Sequence, residues 1–81
     1  MGKVNYMKIN ENLKKQYQWA KNSLIGKKFR SLYTGNIYYP THITIDDDTR
    51  ELRVCYTNGI TTDELDTPLT KFMKKFQQYE Q

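Results

Sequence analysis

Few side chains in this sequence are able to carry chemistry. The 81 residues include one histidine, His42, and one cysteine, Cys55. They fall on two different expected strands, so a Cys–His pair is geometrically allowed. Such a pair is one way to activate a thiol as a nucleophile. The simpler reading is a small core cysteine and a strand histidine, and catalysis is not expected. Asp46-Asp47-Asp48 with Glu51 offers oxygen ligands of the kind a hard cation takes. It lacks the central glycine and the terminal bidentate acid of a calcium loop. Aspartates between two strands form turns by bonding to their own backbone. No Cys/His spacing suggests zinc, so neither metal nor cofactor is expected.

The basic residues give the strongest functional signal. Lys14, Lys15, Lys21, Lys27, Lys28 and Arg30 gather in the first 30 residues, with Trp19 among them. Lysine and arginine neutralise phosphates, and an aromatic side chain stacks on bases. Only one of the six is arginine, the better bidentate reader of base edges, which argues against sequence-specific readout. The plain alternative is a solvated helix face. Residues 1–30 carry eight Lys/Arg against Glu11, residues 31–66 carry two against seven acids, and residues 67–81 carry three against Glu80. These segments hold +7, −5 and +2 of the net +4. Two basic ends therefore flank an acidic middle, a polarity that steers partners without choosing a fold. Phe29, Tyr33, Tyr38, Tyr39 and Tyr56 are dense for so short a chain and serve either as core or as a stacking platform. Alternation turns Tyr39 inward and leaves Tyr38 as the exposed candidate. The expected contact set is Lys14, Lys15, Trp19, Lys21, Lys27, Lys28, Arg30 and Tyr38. The partner is nucleic acid or, alternatively, a protein. Pairing of two copies along a strand edge near Pro40 is a further possibility.

The elements that position these residues follow from periodicity. Leu13, Tyr17, Ala20 and Leu24 repeat at helical spacing, with Ile9 and Tyr6 extending the stripe backwards. Asn10 reads as the N-cap and Gly26 as the residue that ends the helix. The segments KKFRSLY, NIYYPTHITI and ELRVCYTNGITTDEL read as antiparallel strands. Asn58-Gly59 favours a two-residue type I′ loop, which folds Leu52–Tyr56 back onto Ile60–Leu65. Pro40 marks an edge or a bend. Thr67-Pro68 opens a last helix whose apolar face is Leu69, Phe72, Met73, Phe76 and Tyr79. The expected fold is a single α+β domain with a helix over 8–25, a meander of four or five strands over 28–65 and a helix over 67–79. The strands form an open small barrel or a bent sheet. An 81-residue chain has a small core, and a lone cysteine supplies no disulfide.

One outline runs through residues 26–76. Gly26 precedes an aromatic–Arg pair, Phe29-Arg30. Gly35 and Tyr38 follow as Gly-x-x-Tyr, and Val54 and Tyr56 as Val-x-Tyr. Pro68, Phe72 and Phe76 complete Pro-x-x-x-Phe-x-x-x-Phe. In this the chain resembles small phage- and prophage-encoded proteins of uncharacterised function. The resemblance implies a Tudor-like or Src-homology-3-like barrel closed by a C-terminal helix. It carries over no catalytic residue. The expectation is a phage-type accessory protein that binds nucleic acid through its basic face or, alternatively, inhibits a host enzyme or defence complex through Trp19 and Tyr38. The sequence has no apolar run of about 18 residues and no signal-peptide core. Tyr6 breaks the myristoylation motif that Met-Gly begins. The expected location is the cytoplasm, that of the host cell if the protein is phage-encoded.

Overall fold

A computed structural model describes the backbone of residues 2–79 and the side chains of residues 11–79. The elements are α1 (Gly2–Leu24), β1 (Phe29–Ser31), β2 (Ile37–Ile45), β3 (Leu52–Thr57), β4 (Leu65–Pro68), α2 (Leu69–Lys75) and β5 (Phe76–Gln78). The antiparallel sheet has the order β4-β3-β2-β1-β5 and is not closed. The fold is thus α+β, with an open sheet rather than a barrel.

α1 buries Ala20 and Leu24 and half-buries Leu13 and Tyr17, as the helical spacing requires. The helix starts at Gly2, so Asn10 lies inside it and is no cap. Lys3, Met7, Lys8 and Ile9 are tolerable helix formers, and extending an existing helix costs less than nucleating a new one. The predicted stripe residues Tyr6 and Ile9 lie outside the described side chains. After Leu24 the chain turns through Gly26, at φ 83°. Lys27 Nζ donates to the Asn22 carbonyl at 2.8 Å, placing a cation at the negative end of the helix.

β1 is short because Ser31 starts a turn. Its hydroxyl accepts from the Tyr33 and Thr34 amides, each at 3.2 Å. Tyr33 therefore sits in the turn and is exposed, beyond the end of the strand expected over KKFRSLY.

β2 is the pivot of the sheet. Ile37 and Tyr38 pair with β1, and from Tyr39 onward the strand pairs with β3. The register slips between Pro40 and His42, which makes Thr41 the extra residue of a β-bulge. Pro40 thus sits just past the last β1 partner and just before the bulge, where a strand tolerates proline. The bulge also reverses the side-chain phase. Before it the inward residues are Tyr38 and Pro40, and after it Ile43 is inward. The expectation that Tyr39 packs inward and Tyr38 outward is therefore reversed. A strict alternation reads one phase along the whole strand, and one extra residue changes it.

The Asn58-Gly59 loop is not a type I′ hairpin. Among the described non-glycine residues only Arg50 has positive φ, so Asn58 does not take the left-handed conformation that turn needs. Its Oδ1 accepts from the Ile60 amide at 2.8 Å and the Thr61 amide at 3.0 Å. Thr57 and Thr61 hydroxyls accept further loop amides. These local bonds outcompete a tight ladder, and β4 begins only at Leu65, opposite Tyr56. Gly59, at φ 77°, lies under the Tyr39 ring, and a Cβ there would stand 2.8 Å from Tyr39 Cε2. Gly35 has φ 78° with open space around it. Both alanine variants meet left-handed strain of about 1–2 kcal/mol. Gly59→Ala is expected to cost more than Gly35→Ala, because Tyr39 must also move. Urea midpoints of the two variants check this, and equal midpoints would show that the Tyr39 contact carries no weight.

The largest departure from the sequence reading is at the C-terminus. The last helix spans only Leu69–Lys75, and the next three residues form β5 against β1. Thr67 belongs to β4, and Pro68 precedes the helix without a side-chain cap. α2 runs directly from one edge strand of the sheet to the other. Without β5, β1 would be an edge with unpaired groups. Instead the Leu32 amide donates to the Lys75 carbonyl at 2.8 Å, and the Tyr79 amide to that of Lys28 at 2.9 Å.

The core lies between the sheet and the two helices. Ala20, Leu24, Phe29, Ile43, Leu52, Val54 and Phe72 are buried in it. Phe72 stacks on Phe76 with ring centroids 4.4 Å apart and meets Phe29 and Tyr56 edge-on at 5.2 and 5.6 Å. Tyr38 closes the group against Tyr56 and Phe76, each at 5.5 Å. Burial pushes the Tyr56 phenol pKa up, with Tyr38 adding to the effect. Among the described residues no helix is long and apolar enough to cross a membrane.

Candidate functional site

The structure divides the predicted basic cluster. Lys14, Lys15 and Lys21 are exposed on α1, with Gln18 and Asn22 between them. Trp19 is 51% exposed on the other flank, one turn beyond Lys15. None of these lysines has an acidic partner among the described residues. The ion pairs among the described residues are His42–Glu64 and Arg53–Asp66, both away from α1. Lys27 turns back onto the end of α1. Lys28 and Arg30 alternate with buried Phe29, so they stand on the face of the sheet opposite the helices. They do not extend the α1 surface. A 3.6-residue period and a two-residue period meet at Gly26, and their relative direction is not visible in the spacing. Tyr38 is half-buried in the ring cluster and is not the exposed platform expected of it. The bulge at Thr41 is the reason.

Trp19 has mainly apolar neighbours. It lines a groove of about 420 Å³ with Leu24, Phe29, Met73, Phe76 and Gln78. The groove runs between α1 and the α2–β5 corner, beside β5, an edge strand of the sheet.

The acidic residues collect elsewhere. Asp46 Oδ1 accepts from the Asp48 and Thr49 amides at 2.9 and 3.2 Å, which makes the aspartate run a turn former, as expected. Arg53 grips Asp66 with two bonds, Nε to Oδ2 at 3.4 Å and Nη2 to Oδ1 at 3.2 Å. That hydrogen bond raises the Arg53 guanidinium pKa, and the charge of Asp66 adds to it.

The sheet face away from the helices brings His42 and Cys55 together after all. They are direct cross-strand partners on β2 and β3. Glu64, from the loop before β4, joins them, with His42 Nδ1 3.7 Å from Glu64 Oε2. The Thr41 hydroxyl lies 2.6 Å from Glu64 Oε2 and 3.1 Å from the Cys55 carbonyl oxygen, either of which accepts its proton. It also lies 3.2 Å from His42 Nδ1. Burial pushes the Cys55 thiol pKa up, and Glu64 and Asp66 push it further. A thiol in such surroundings stays protonated, the opposite of what a nucleophile needs. Glu64 and Thr41 carry no signal in the sequence, because only the bulge and the β3–β4 register bring positions 41, 42, 55 and 64 together.

Compared with known protein families, with characterised proteins and with solved structures, the chain finds no match.

Proposed function

We propose that this chain is a non-enzymatic nucleic-acid-binding domain whose contact surface is the exposed side of α1. The observation that supports it is the set of three exposed helix lysines, Lys14, Lys15 and Lys21, which have no acidic partner among the described residues, with the exposed Trp19 one turn beyond Lys15. Unpaired cations gain free energy by displacing counterions from phosphates. Trp19 offers a ring on which an unstacked base rests. Lysine lacks the planar fork of arginine, so this set suits binding with little sequence preference. Lys28 and Arg30 face away from it and are spectators in this reading.

Fluorescence anisotropy with a labelled single-stranded oligonucleotide at several salt concentrations tests the proposal. Affinity should fall with a log–log slope of about −0.7 per phosphate engaged, roughly −2 for three lysines. Reversing Lys14, Lys15 and Lys21 to glutamate should abolish binding, and Trp19→Ala should weaken it about ten-fold or more. Lys28→Ala and Arg30→Ala should leave it nearly unchanged. A salt-insensitive affinity would exclude the proposal.

The Trp19 groove favours a second reading, in which the chain inhibits a partner protein. Trp19 and Met73 then form the anchor beside the edge strand β5. In that case Trp19→Ala removes binding, while lysine changes mainly slow association.

A further inference from the structure

We propose that His42, Cys55 and Glu64 form a binding site for a borderline-soft divalent metal of the zinc class, with solvent or an outside ligand completing the coordination. One imidazole nitrogen, Cys55 Sγ and one Glu64 carboxylate oxygen lie within 4.8 Å of one another. Ligand atoms around tetrahedral zinc stand about 3.3–3.8 Å apart, given bond lengths of about 2.0–2.3 Å. Closing the triad therefore takes a shift of roughly 1 Å, within reach of two exposed side chains rotating over a fixed thiol. The donor set is one sulfur, one nitrogen and one oxygen, which suits zinc or cobalt and not calcium or magnesium.

The backbone pre-arranges the triad. β3 fixes Cys55 beneath the surface, and the bulge at Thr41 sets His42 directly across from it. The Thr41 hydroxyl, bonded to Glu64 Oε2, holds the carboxylate toward the other two. Thr41 is thus a positioning residue of the kind that orients metal ligands. Asp66 is engaged by Arg53 and is left out of the donor set. On coordination the Cys55 S–H bond breaks, the sulfur lone pair passes to the metal, and the proton leaves to solvent.

The test is a titration of the tag-free chain with cobalt(II), followed by absorption spectroscopy. One cobalt per chain should bind and give a thiolate-to-cobalt charge-transfer band with tetrahedral ligand-field bands, and zinc should bleach both. Cys55→Ser should remove the charge-transfer band. His42→Ala and Glu64→Gln change exposed side chains and should keep the fold, checked by circular dichroism. Each should weaken cobalt about 100-fold or more, and Thr41→Val about ten-fold. The absence of the charge-transfer band at millimolar cobalt would overturn the proposal. So would a band that persists with unchanged affinity in the His42 and Glu64 variants, since that would report a lone thiol.

Discussion

Phe72→Ala is expected to leave much of the protein unfolded at 37 °C. Phe72 is fully buried and touches three other rings, Phe29, Tyr56 and Phe76. Truncating a buried phenylalanine costs about 3–5 kcal/mol. A domain of 81 residues has roughly 4–12 kcal/mol in total, at about 0.05–0.15 kcal/mol per residue. The melting temperature should fall by at least about 12 °C, as about 4 °C or more accompanies each kcal/mol at this size. Phe72→Leu keeps most of the volume and should recover most of the loss. Thermal denaturation followed by circular dichroism measures both. A small shift in Phe72→Ala would mean that the ring cluster is not the centre of the core.

Gln77→Pro is the second large effect, and it reports on the least expected element. Gln77 is exposed and its side chain carries little, so Gln77→Thr should change stability by less than about 0.5 kcal/mol. The backbone at Gln77 is another matter. Leu32 donates to Lys75 and Tyr79 donates to Lys28 across the β1–β5 pair. Hydrogen-bonded pairs alternate along an antiparallel ladder, so Arg30 and Gln77, which are partners between them, form the bonded pair at the middle. Proline there removes the Gln77 N–H and should cost about 2–4 kcal/mol. Amide hydrogen exchange in the unaltered protein provides the companion measurement. The Gln77 and Tyr79 amides should be protected and that of Gln78, between them, should exchange faster. Uniform rapid exchange over 76–79 would show that β5 does not form.

What the sequence disclosed and what it hid have a common cause. The α1 stripe was readable because Leu13, Tyr17, Ala20 and Leu24 keep one period from start to finish, and Lys14, Lys15 and Lys21 fall outside it. β3 was readable for the same reason, through Leu52, Val54 and Tyr56. The errors lie where a period changes. Phe72 and Phe76 are four apart and read as one helix face, yet Phe76 reaches the same core from a strand. One extra residue at Thr41 exchanged Tyr38 and Tyr39 between the two faces and put the predicted binding tyrosine among the core rings. It also sets His42 across from Cys55, so one extra residue hides both the inward face of β2 and the triad from a strict alternation. Lys21, Lys27, Lys28 and Arg30 are close in sequence, so spacing alone makes the basic cluster look continuous. The turn at Gly26 sends them to opposite sides of the sheet.

The direct passage from β4 through α2 to β5 fixes the curvature of the molecule. Five strands laid flat set their outermost members about 19 Å apart. The seven residues of α2 advance only about 10 Å along their axis. So short a rod spans the two margins only when the sheet rolls them toward each other. The hollow that receives Phe72 therefore owes its depth to the length of a strut, whereas a barrel owes it to a closed ring of backbone bonds. A force that spreads the margins apart is resisted along the axis of that strut, and strain at either margin reaches the other through it.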